Sequence, residues 1–143
     1  LTVFIPMLMD TGGNSGSQSS VTVIRALSLD ELHFKDIFTV IWKEVRAAAL
    51  CAIALAAVCF GKVMLVDRLL MGNTSVTVLV DLTVCLTLAV TVIVAKVVGC
   101  SLPLIAKRFG FDPAVMASPF ITTIVDAMSL LLYFLFAKAI LGV

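Results

Sequence analysis

The chain has 143 residues, 62% of them apolar and 13% charged, with a formal net charge of +1 and a mean hydropathy of +1.20. An average soluble domain is about 45–50% apolar and about 25% charged, and one of this size buries only about 70% of its unfolded surface, so the surplus apolar side chains would coat its exterior in water. The composition points to a bilayer as solvent, excludes disorder, and offers no charge field for nucleic acid.

A spanning helix needs about 20 mainly apolar residues, and four stretches qualify, which predicts an all-α integral membrane protein with four transmembrane helices in one domain, 1–143. The first, about 1–27, is apolar from Leu1 to Met9 and from Val21 to Ile24. Between them lies the polar tract Asp10-Thr11-Gly12-Gly13-Asn14-Ser15-Gly16-Ser17-Gln18-Ser19-Ser20. A loop with Ser28, Asp30 and Glu31 leads to the second stretch, about 37–60, which carries Lys43, Glu44 and Arg46 in its first turns. Gly61 to Thr74 reads as a solvated connection holding Lys62, Asp67, Arg68 and the turn signal Gly72-Asn73. The third stretch, about 76–98, has Asp81 near one end and Lys96 near the other, where a lysine can snorkel. Pro103 to Asp112 reads as a loop, and Asp112 before Pro113 is an N-cap followed by proline at the first helical position. It opens the fourth stretch, about 113–141, with Asp126 in its middle and Lys138 near its end. Cys51, Cys59, Cys85 and Cys100 lie scattered through apolar sequence without CxxC spacing and read as small buried hydrophobes rather than metal ligands.

Basic residues set the orientation. One side collects Arg25, Lys35, Lys43, Arg46, Lys96, Lys107 and Arg108, the other Lys62, Arg68 and Lys138. The larger group is expected to face the cytoplasm, with loops 28–36 and 99–112 inside and the chain start outside. A chain entering from outside within an apolar run is expected to follow at least one further spanning helix.

Two spans break the rule that polar groups in a membrane are costly. Ionisable residues at mid-membrane depth face a bundle interior or a water-filled path, and Asp126 stands there. Ser118, Thr122, Asp126 and Ser129 recur at i, i+4, i+8 and i+11, one face of a helix. Pro119 is expected to free backbone oxygens near Val115. The bland readings are a paired or protonated carboxylate and hydroxyls bonded back to helix carbonyls. In the first span Gly12 and Gly16 form a small-xxx-small pair suited to close packing, but packing does not require Asn14, Gln18 and the serines. Neutral oxygens of this kind suit a hydrated Mg²⁺, which keeps most of its waters. Asp10 could draw cations to the mouth. Gly13-Asn14-Ser15-Gly16 also reads as the G-x-S-G of an intramembrane serine protease, yet a serine nucleophile needs a nearby base. The one histidine, His33, lies in the loop beyond the span, so the chain is not read as an enzyme.

The stretch Pro6 to Ser20 with Val23-Ile24-Arg25-Ala26, and the stretch Gly110-Phe111-Asp112-Pro113-Ala114 through Pro119, Thr122-Thr123 and Asp126 to Tyr133-Phe134, resemble the transmembrane domain of the MgtE magnesium channel family. The resemblance covers the whole chain, the middle spans being generic apolar helices in the same order. It implies a five-helix domain of which this chain holds helices two to five, without the cytoplasmic N and CBS regulatory domains. It further implies a homodimer in the plasma (inner) membrane, with a pore lined by the first and last spans seen here. Asp126 would hold Mg²⁺, the transported and bound ion, with Thr122 (through its carbonyl) and Ser118 facing the same site. Gly12, Gly13, Asn14 and Gly16 would line the pore, and Gln18 and Ser129 are added from their faces. An ion-coupled carrier is the alternative to a channel, and a non-transporting membrane scaffold ranks third.

Overall fold

The structure is a computed structural model that describes residues 2–70, 72, 77–116 and 118–142, without the side chains of Asp67, Met116 and Ser118. Four long helices carry it: α1 (Ile5–Ser28), α2 (Ile37–Lys62), α3 (Val78–Arg108) and α4 (Ser118–Leu141). Short 3₁₀ turns at Thr2–Phe4, Phe34–Asp36 and Pro113–Met116 precede α1, α2 and α4, and α2 passes into a π-helix over Val63–Leu70. Three helical segments, Phe34–Leu70, Val78–Arg108 and Pro119–Leu141, are long and apolar enough to cross a membrane. α1 has 24 residues, about 36 Å at 1.5 Å each. Its polar middle sets it apart from those three.

Each helix runs antiparallel to the one before it, and α3 is the hub. α1, α2 and α4 all pack on α3, and α1 also packs on α4. Phe4 and Leu8 of α1 and its lead-in meet Cys59 and Val63, Val84, Cys85 and Leu88, and Tyr133 at one end of the bundle. Toward the other end Val23 and Leu27 pack on Cys100 and Leu104, with Ile37, Val40 and Ile41 closing over them. Lys107 Nζ donates to the Leu27 carbonyl at 3.1 Å and so caps the end of α1.

α3 corrects two expectations. It is not only the generic apolar helix read from the sequence, because Thr83, Thr87, Thr91, Ala95 and Gly99, one every four residues, are all buried. Thr83 and Thr87 turn their hydroxyls back to the carbonyls of Leu79 and Thr83. That leaves a narrow apolar ridge where other helices approach. Nor does it end near Val98: the helix continues through Gly99 and Pro103 to Arg108. Such residues break helices in water, but in a bundle neighbouring helices and hydroxyls take over the freed backbone groups. Just before Pro103, Ser101 Oγ and Cys100 Sγ both donate to the Val97 carbonyl of their own helix; the carbonyl that loses its helical donor at Pro103 is that of Gly99. The connection after α2 is shorter than the sequence suggests, since Val63–Leu70 is helical. The expected third-span start at Val76 and the residues Leu1, Asn73 and Thr74 lie outside the described residues.

α1 and α3 approach each other backbone to backbone. A methyl group at Gly99 would run into the Gly16 carbonyl, and one at Gly16 would sit 3.1 Å from the Ala95 carbonyl and 3.0 Å from Ile121 Cγ2. Nothing lies within 4 Å of a methyl added at Gly61. Gly99→Ala is therefore expected to cost roughly 1–3 kcal/mol of stability, the range for overpacking. Gly61→Ala is expected to leave stability unchanged or raise it by up to about 1 kcal/mol, as glycine-to-alanine changes in helices do. Thermal unfolding of the two variants in detergent, set against the parent protein, measures the contrast.

Candidate functional site

α1 has two unlike faces. Leu8, Gly12, Gly16, Ser20, Val23 and Leu27 are buried against α3 and α4. Asp10, Asn14, Gln18 and Thr22, spaced by four, are exposed on the other side. Asn14, Ser17, Gln18, Val21 and Thr22 line an open groove of about 390 Å³. The outer face of α2 by contrast exposes the apolar side chains Phe38, Trp42, Leu50, Ile53 and Val58. Such side chains suit lipid, whereas the polar edge of α1 does not.

Asp126 borders this edge. It lies about 12 Å along the axis from Ser118 at 1.5 Å per residue, and its side chain is partly exposed. α4 packs on α1 through Gly13, where an added methyl would lie 3.6 Å from Asp126 Oδ1 and 3.1 Å from Thr122 Cγ2. Glycine at this position lets the carboxylate lie against the α1 backbone. Asn14 is the next residue, and Asp10, a little under one turn earlier, is near enough for its charge to act on Asp126. Among the described residues, Asp126 makes no hydrogen bond or ion pair. Two carboxylates along one edge without a base form a cation-attracting locus.

The expected site residues thus fall into groups. Asp10, Gly13, Asn14, Thr122 and Asp126 come together where α1 meets α4, and Gln18 extends the edge by one turn. Gly12 and Gly16 point into the bundle: an added methyl at Gly12 would meet Thr91 Cγ2 at 2.7 Å and Ser129 Oγ at 3.0 Å. Ser129 is buried behind Gly12 and donates to the Val125 carbonyl at 2.6 Å. The side chain of Ser118 lies outside the described residues. The backbone also differs from expectation. α1 is continuously helical through its polar tract, and α4 begins at Ser118, after the separate turn Pro113–Met116. Asp112 caps that turn, its Oδ1 accepting from Ala114 N at 2.9 Å. Pro119 is consequently the second residue of α4, where its missing N–H disrupts no helical bond. Its carbonyl accepts from the hydroxyls of both Thr122 and Thr123, at 3.0 and 2.9 Å. Ser15 lies about 20 Å along α1 from its end at Ser28, at 1.5 Å per residue. His33 is exposed in the loop beyond that end.

A charge network that the sequence reading did not find lies inside the bundle. Lys96 Nζ is 3.2 Å from Glu44 Oε2, Ser19 Oγ donates to the same oxygen at 2.6 Å, and Lys96 also reaches Ser19 Oγ at 3.4 Å. Because α3 runs on to Arg108, Lys96 stands well within the helix rather than at a snorkelling end. The opposite charges on two apolar helices were the available signal. Glu44 compensates Lys96, which leaves the carboxylates at the α1–α4 edge without a neutralising lysine from α3.

Residues 5–136 match the profile of the MgtE family, described as divalent cation transporter. The chain belongs to the MgtE family. It is 36% identical over 139 residues to the magnesium transporter MgtE of Bacillus subtilis, covering 97% of this chain and 29% of that protein. It is 33% identical over 141 residues to the magnesium transporter MgtE of Thermus thermophilus, covering 99% of this chain and 29% of the relative. The magnesium transporter MgtE of Enterococcus faecalis shares 31% identity over 134 residues, 94% of this chain and 28% of that protein. The chain thus spans less than a third of the length of the relatives it matches. Their names describe transport rather than catalysis, and the apolar helices agree with a membrane protein.

In this MgtE chain the Lys96 and Glu44 side chains are 14% and 20% exposed, so removing one partner leaves a mostly buried charge. Lys96→Met or Glu44→Gln alone is expected to cost roughly 2–3 kcal/mol, somewhat below the 3–5 kcal/mol of a fully buried pair. The double variant is expected to lose less than the sum of the two. A double-mutant cycle on thermal unfolding checks the coupling, and additive losses would speak against it.

Proposed function

We propose that this chain forms the ion pathway of a Mg²⁺ transporter, in which the polar edge of α1 and the Asp126 side of α4 face the same elements of a second copy across a homodimer. The observation that carries this reading is Asp126: a carboxylate deep in an apolar helix, beside a second carboxylate, on the polar border of an otherwise lipid-suited surface. A hydrated Mg²⁺ between two such carboxylates would keep its inner waters and meet Asn14, Gln18 and the Thr122 carbonyl through them. Ser118, one turn before Thr122, joins this set on the family resemblance. Gly12 and Gly16 contribute by bringing α1 close to α3 and α4, Gly13 by giving Asp126 room, and Ser129 by filling the space behind Gly12.

The excess of Lys and Arg at the ends joined by loops 28–36 and 99–112 supports a plasma-membrane orientation with those loops in the cytoplasm. Regulatory domains, as the resemblance implies them, would act on the pathway from that side. No second function is favoured by an observation of the fold. A scaffold without permeation would have no use for a polar stripe and paired carboxylates on one outer edge.

The test is Mg²⁺ uptake into cells or proteoliposomes carrying the intact protein. Asp126→Ala is expected to abolish uptake at unchanged expression and unfolding temperature, and Asn14→Leu to reduce it. Uptake equal to that of the parent protein in Asp126→Ala would remove Asp126 from the mechanism.

A further inference from the structure

The cysteines were expected to be isolated buried hydrophobes, yet the fold gathers two of them with a carboxylate. Cys59 lies one turn before α2 passes into its π-helical segment, and Asp81 and Cys85 lie one turn apart on α3, so both project from the same face of that helix. One ligand atom from each of the three falls within 4.8 Å of the others, and all three residues are buried. Cys85 Sγ is 3.4 Å from Asp81 Oδ1 and 3.6 Å from the Ala56 carbonyl of α2. Phe4, Val63, Val84 and Tyr133 surround the group and exclude water.

We propose that Cys59, Asp81 and Cys85 form a binding site for one soft divalent cation of the Zn²⁺ class, separate from the Mg²⁺ pathway at Asp126. The donor set decides the class of ion. Two thiolates and one carboxylate suit Zn²⁺ or Cd²⁺, whereas Mg²⁺ takes oxygen ligands in a strict octahedron. The spacing is close to what such an ion needs: at a Zn–S bond of about 2.3 Å, two sulfurs on a tetrahedral ion stand ~3.8 Å apart. A movement of at most about 1 Å brings the donors into place. Binding expels the two thiol protons to water, so that one M²⁺ is held by two thiolates and one carboxylate with a net charge of −1. Asp81 lies in the first turn of α3, whose N-terminal dipole favours that negative charge. The Ala56 carbonyl offers a fourth ligand, an oxygen. Occupation ties the end of α2 to the start of α3 at the point where α2 changes its helical pitch.

The experiment is a Cd²⁺ titration of the intact protein in detergent under reducing conditions, followed by the ultraviolet thiolate-to-metal charge-transfer band. One Cd²⁺ per chain is expected, with the band lost in Cys59→Ser and in Cys85→Ser and retained in Cys51→Ser, Cys100→Ser and Asp126→Ala. Asp81→Asn is expected to weaken binding by at least about tenfold, the loss that even an outer-sphere partner brings. Excess Mg²⁺ should leave the band in place. No band in the parent protein, or a band that survives both Cys59→Ser and Cys85→Ser, overturns the site. Where a serine variant fails to fold, the cadmium NMR shift of the parent protein decides: a two-sulfur environment supports the site, and an all-oxygen or four-sulfur environment refutes it. Retention of the band in Asp126→Ala separates this result from the fate of the proposed Mg²⁺ pathway.

Discussion

The architecture rests on one contact, the backbone-to-backbone approach of α1 and α3 where Gly16 meets Gly99. An interface between helices in lipid gains little from the hydrophobic effect, so it depends on close packing of small residues. The ridge Thr83-Thr87-Thr91-Ala95-Gly99 on α3 supplies one side, and Gly12 and Gly16 on α1 supply the other. Once these faces are joined, the rotation of α1 is fixed. Asp10, Asn14, Gln18 and Thr22 must then look away from the bundle, and Gly13 must meet α4 at Thr122 and Asp126. The polar edge thus follows from how the helix packs.

Charge is sorted by the same packing. Lys96 could have neutralised a carboxylate elsewhere in the membrane, but Glu44 and Ser19 hold it at the meeting of α1, α2 and α3. Asp126 and Asp10 lie away from that pair, along the edge where α1 meets α4. Uncompensated carboxylates in a low dielectric are costly unless water or a cation reaches them. The proposed pathway gives them both, and the arrangement of the two networks on separate faces of one helix keeps the structural pair out of the ion's way.

Much of this was legible in the sequence, and the gaps have physical causes. Four helical stretches, the mid-helix Asp126 and the unusual polar tract of α1 follow from hydropathy and spacing, and the same residues carry the resemblance to MgtE. Rotation about a helix axis was harder to read. Ser129 shares the i+3/i+4 pattern with Asp126, but the packing of Gly12 draws it inward. Gly99 and Pro103 signal a break in water, yet α3 runs on through both to Arg108. That error displaced Lys96 to a helix end and concealed its pairing with Glu44. Cys59 and Cys85 are far apart in the chain, and only the antiparallel packing of α2 on α3 brings them together.

The proposed ion path runs between two copies of the chain, lined by the α1 edge and Asp126. A structure of the intact protein in a lipid environment with Mn²⁺ bound, located by its anomalous scattering, tests it most directly. The expected result is an ion between the Asp126 side chains of two copies, with Asn14 and Gln18 facing water along the same axis. Lipid packed against Asn14 and Gln18, with no ion at Asp126, would contradict it.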